Sequence, residues 1–209
     1  MQPEIEQSLV VEFDELFSLG DRLREVADNL RARLMAAGLT EPLQTDVFDR
    51  ELEVRGTQHE RLLIRLDSYR LEISGAPPAM QTQAAAAIIL DEAGAFRLTS
   101  VELGLSLTVK VRKGAGMNLV AQAFPQVDVV PGDPMLDRCF SMTWDWGTAT
   151  TGYSFHASDT EDRELLLSFK AREGYMTIPE LEGGTWVSQQ AQRYEALVGR
   201  FFDQLGWKP

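Results

Sequence analysis

The clearest pattern in the chain lies between residues 101 and 112. Val101, Leu103, Leu105, Leu107, Val109 and Val111 alternate with Glu102, Gly104, Ser106, Thr108, Lys110 and Arg112. A period of two over this length predicts a long strand with one buried face and one solvated face, the kind found in antiparallel sheets. Shorter runs repeat the signal. Leu62, Ile64 and Leu66 alternate on even positions, and Tyr69, Leu71 and Ile73 on odd ones. A change of parity exchanges the two faces, so a turn or bulge is expected near Asp67-Ser68. Leu52 and Val54 alternate with charged neighbours, and the apolar run Ala84–Leu90 is placed with this strand-rich middle. Later, Phe140, Met142, Trp144 and Trp146 alternate, as do Tyr153, Phe155 and Ala157, and then Leu165, Leu167 and Phe169. The linkers Gly147–Gly152 and Ser158–Arg163 have the length of hairpin connections.

Two segments follow the helical period instead. Leu16, Leu19, Leu23, Val26 and Leu30 recur every three or four residues, with Asp21 as an N-cap, Gly38 as a C-cap glycine and Pro42 beyond it. This predicts a helix to about Ala37. Near the end, Val187, Ala191, Tyr194, Val198, Phe201 and Leu205 form a stripe flanked by Leu197 and Phe202. A stripe that wide suits a helix lying flat on a sheet. A short helix is expected at Met117–Phe124, followed by an irregular loop over residues 125–137.

The expected fold is therefore α+β. A mostly antiparallel sheet of about six to eight strands is framed by amphipathic N- and C-terminal helices, with a short helix inserted mid-chain. Residues 1–20 carry Glu4, Glu6, Glu12, Asp14 and Glu15 and no Lys or Arg, and read as an acidic arm or short helix. Residues 21–209 read as a single domain.

Charge narrows the functions. Against 32 Asp and Glu stand only 20 Lys and Arg, a net −12 over 209 residues. Such a surface repels nucleic-acid phosphates and anionic lipids and suits a basic protein partner. No apolar run is long enough to span a membrane. One cysteine cannot form an internal disulfide, and the N-terminus lacks the order of a signal peptide, so the cytoplasm is the expected compartment.

No phosphate-binding glycine loop, dinucleotide fingerprint, nucleophile elbow or metalloprotease helix occurs. Gly114-Ala-Gly116 reads as a turn. The two histidines, His59 and His156, are far apart in sequence, so no metal site is expected, and no cofactor. Asp159, Glu161, Asp162 and Glu164 lack the spacing of a calcium loop and read as a solvated hairpin tip.

Two constellations stand out. Cys139 and His156 would approach each other if residues 140–146 and 153–157 pair, and a cysteine beside an imidazole is the minimum of a nucleophilic dyad. Trp144, Trp146, Tyr153 and Phe155 form the richest aromatic group, read either as core or as a wall that binds a ligand or partner. The resulting expectation is a non-enzymatic protein-binding adaptor, chaperone-like or immunity-type. The alternatives are an apolar-ligand carrier with a cavity between sheet and C-terminal helix, and an enzyme using Cys139 and His156. Homodimerisation through the N-terminal helix or the acidic arm is a further reading. In element order and acidity the chain is loosely similar to secretion-chaperone-like proteins.

Overall fold

The computed structural model describes residues 4–37, 43–48, 50–56, 62–75, 79–95, 97–111, 115, 119, 139–145, 151–160 and 164–204. Residues 139–145 and 151–160 are described by their backbone pairing. The elements run β1 (Glu4–Phe13), α1 (Leu19–Ala36), β2 (Leu43–Val47), β3 (Leu52–Gly56), β4 (Leu63–Leu66), β5 (Arg70–Gly75), α2 (Ala79–Ala93), β6 (Leu98–Lys110), β7 (Cys139–Asp145), β8 (Thr151–Thr160), β9 (Glu164–Met176), α3 (Ile178–Gly183) and α4 (Trp186–Gln204). The nine strands among the described residues belong to one sheet, in the order β2-β3-β4-β5-β1-β6-β9-β8-β7. Every pairing is antiparallel.

The expected α+β architecture, with an antiparallel sheet and amphipathic helices near both ends of the chain, is what the structure shows. Two segments differ from their expectation. Residues 4–13 are neither an arm nor a short helix. They form β1, inserted between β5 and β6. Leu9, Val11 and Phe13 are buried, so the leader obeys the same period of two as its neighbours. The Ala84–Leu90 run is helical. Within α2, Ala85, Ala86, Ala87, Ile89 and Leu90 are buried, because the helix is enclosed by the sheet, α1 and α3 and needs no polar stripe. Of the 114–116 turn and the expected helix at 117–124, only Ala115 and Leu119 are described, and both are helical. The rest of these segments, the loop at 125–137 and His59 lie outside the described residues.

The helices cover one face of the sheet. α1 supplies Leu19, Leu23, Val26, Leu30 and Leu34 to the core. Arg33 ties it to α2 through Glu92 and through Asp91 at 3.1 Å. These two carboxylates, Glu92 first, hold the guanidinium above its ordinary pKa. Buried Gln83 of α2 donates to the backbone carbonyls of Leu181 and, at 2.9 Å, Gly184, which locks α3 in place. α4 lies across β6 and β9, and buries Val187, Tyr194, Phe201 and Phe202. The parity change at Asp67 is a tight turn. Its side chain accepts from the amides of Tyr69 at 2.7 Å and Arg70 at 2.8 Å.

Candidate functional site

The face of the sheet opposite the helices is polar. On the central strands the even positions carry it: Glu6 and Ser8 on β1, Ser74 on β5, Glu102, Gly104 and Ser106 on β6, Ser168 and Lys170 on β9. The register aligns them into rows. One runs Ser74, Ser8, Gly104, Lys170, Ser154, Thr143 across six strands. The next runs Glu6, Ser106, Ser168, His156, Ser141 across five. A cleft of about 380 Å³ lies on this face over β1, β5, β6 and β9, bordered by Glu6, Ser8, Ser74, Ser106, Ser168 and Lys170. Gly104 keeps its floor low. A Cβ there would stand 2.5 Å from the Ser8 hydroxyl, too close for any real contact.

Charges on this face are paired across strands. Lys170 reaches Glu102 at 3.2 Å. The Ser100 hydroxyl donates to Glu12 at 3.0 Å, and Arg172 donates to both. Toward the β2 edge, Glu53 is nearly buried between Arg55 and Arg65, and the Arg55 hydrogen bond above all holds its carboxyl below the usual range. Apart from Arg55 with Glu53, which share β3, these are cross-strand pairs, which stabilise a sheet face by a few tenths to about 1 kcal/mol each.

The register also fixes where the sequence candidates stand. Cys139 is opposite Ser158, and His156 is opposite Ser141 and Ser168. Cys139 and His156 therefore share the polar face and are diagonal neighbours, a relation that sets Cα atoms ~7–8 Å apart in an antiparallel ladder. Trp144 is opposite Tyr153, and Phe155 is opposite both Met142 and Phe169. These aromatic positions share the other face, the one on which β9 buries Leu167, Phe169 and Ala171. Trp146 lies outside the described residues. Among the described residues, no group of three or more His, Cys, Asp or Glu is placed to hold a metal ion. Among the described residues, no helix is long and apolar enough to cross a membrane.

A second aromatic group escaped the sequence reading. Phe17, Phe48, Tyr69 and Tyr175 are 86%, 54%, 54% and 66% exposed. All four stand at the same end of the sheet. Phe13 at the end of β1 pairs with Leu98 at the start of β6, which pairs with Met176 at the end of β9. Glu12 pairs with Arg70, Leu71 with Leu66, Leu66 with Leu52, and Leu52 with Val47. That end thus collects the β1–α1 connection, the β2–β3 and β4–β5 turns, and the last residues of β9. The Tyr69 hydroxyl donates to Glu15 at 2.6 Å, which raises its pKa, and Asp14 and Asp67 are close in sequence to these turns. Arg97 stacks on the Tyr175 ring at 5.5 Å. Tyr175 has φ +56°, a left-handed conformation uncommon for a bulky residue and costing of order 1–3 kcal/mol. Periodicity marked only Tyr69, as the first of an alternating run, and gave no sign of Phe17, Phe48 and Tyr175, which fall in a turn or at a strand end.

The chain matches no protein-family model and no curated protein.

Proposed function

We propose that the protein is a non-enzymatic, protein-binding adaptor, chaperone-like or immunity-type, working in the cytoplasm with a partner that has a basic surface. The observation that carries this reading is the set of four exposed aromatic side chains gathered at one end of the sheet. Exposed aromatics cost solubility unless something covers them. They are also the residues that dominate the buried centre of protein interfaces, because a ring contributes a large apolar area with few rotatable bonds. The net charge of −12 supplies long-range attraction for a basic partner and speeds its encounter.

The test compares the wild type with a variant carrying Phe17→Ser, Phe48→Ser, Tyr69→Ala and Tyr175→Ala, each used as bait in native lysate at low and high salt. A protein retained by the wild type at low salt, weakened by salt and lost from the variant is the expected result. Nothing retained by the wild type, or the same proteins retained by both, overturns the reading.

A further inference from the structure

Among the described residues, strand β2 forms one edge of the sheet and has β3 as its only strand neighbour. An unpaired edge presents a row of backbone donors and acceptors that can template another strand. Alongside it, on the helix face, a cleft of about 720 Å³ separates β2 from α1, lined by Arg24, Asp28 and Arg31 on the helix and Leu43, Thr45 and Val47 on the strand. The Thr45 hydroxyl oxygen is buried at this cleft without a hydrogen-bond partner among the described residues.

The exposed side of α1 carries a charge pattern that matches its own reversal. Asp21, Arg24, Asp28 and Arg31 are all exposed and follow one another at intervals of three, four and three, so they form one stripe. The signs run minus, plus, minus, plus. None of the four has an ion-pair partner among the described residues. A second α1 laid antiparallel, centred at the level of Val26, sets Asp21 against Arg31 and Arg24 against Asp28, and each pair occurs twice.

We infer that this edge is a self-association surface whose occupant is a second copy of the same chain. β2 pairs antiparallel with its counterpart about a two-fold axis perpendicular to the sheet, and the two α1 helices meet over the seam on the same face. A two-fold contact of this kind is closed and self-complementary, so association stops at a dimer and both β2 edges are capped. The overall charge of each copy does not prevent it. At about 0.15 M salt the screening length is about 8 Å, so distant repulsion fades while the seam pairs act at contact.

Sedimentation velocity on the full chain over a micromolar concentration series provides the test. The wild type is expected to sediment as a monomer–dimer equilibrium. Arg24→Asp and Asp28→Arg each place two like-charge pairs in the seam and weaken the dimer by roughly tenfold or more, since juxtaposed like charges are among the costliest interface errors. Mixed together, these two variants regain opposite charges at every such position and form a heterodimer. The double reversal R24D/D28R in one chain restores the homodimer. Both positions are exposed, and circular dichroism confirms that the variants are folded. A wild type that stays monomeric throughout, a larger assembly, or a dimer indifferent to the single reversals overturns the inference.

Discussion

On strands β6 and β9 successive residues meet opposite surroundings. Leu103, Leu105 and Leu107 on β6, and Leu167, Phe169 and Ala171 on β9, are buried beneath the helices. Gly104, Ser106, Ser168 and Lys170, each one residue away, border an open cleft. The backbone ladder is common to both faces, so the difference lies entirely in what the side chains exchange for water. An apolar side chain buried on the helix face contributes about 1.5–3 kcal/mol. An ion pair on the open face contributes at most about 1 kcal/mol. Stability therefore resides on one face, and the other is free to vary or to bind.

The sharpest way to break this contrast is Phe169→Ala. The ring is buried and stacks at 6.0 Å on Tyr194 of α4, so the change is expected to cost about 3–5 kcal/mol and lower Tm accordingly, read by thermal unfolding. Next comes Tyr194→Phe. The hydroxyl donates to the Leu167 carbonyl at 3.0 Å inside the core, and its loss is expected to cost about 0.5–1.5 kcal/mol at neutral pH. Burial also pushes the Tyr194 pKa well above its ordinary value. Its folded pKa is raised, so the stability it brings is complete below the unfolded value and is lost as pH climbs above about 10. Denaturant titrations across that range should show a shallower alkaline loss for the Phe variant than for the wild type. The smallest effect belongs to Lys170→Ala on the open face. Its pair with Glu102 is 65% and 31% exposed on the two sides, and its removal is expected to change stability by less than about 1 kcal/mol, less still in high salt. A large loss from this variant would mean that the open face carries structural weight.

The long strand at 98–110 and the two flanking helices were legible because each shows one period over many residues. β1 carried the same signal in Leu9, Val11 and Phe13, but clustered carboxylates and the apolar Val10 between them obscured it. α2 was misassigned because a helix enclosed on several sides loses its polar stripe, and its alanines, the strongest helix formers, were the better guide. For the candidate site, the hairpin that brings residues 139–145 beside 151–160 followed from alternation alone. The rows of hydroxyls across the polar face did not, because they depend on β1 standing between β5 and β6, and the exposed aromatic end depends on where nine strands finish.

The position of β1 has a consequence for how the molecule is made. Val11 lies opposite Leu71 on one side and Val101 on the other. A ribosome adding about 5–20 residues per second completes β1 before either partner, then takes roughly 5–20 s to reach the partner on β6. During that interval the strand has at most one neighbour, and its apolar side lacks the complete sheet that later encloses it. Pairings so distant in sequence also slow the search for the native topology. The nascent chain is thus vulnerable to misassembly at β1 until β6 has emerged, and substitutions that lower the β-propensity of residues 4–13 should reduce yield during synthesis more than they reduce the stability of the finished protein.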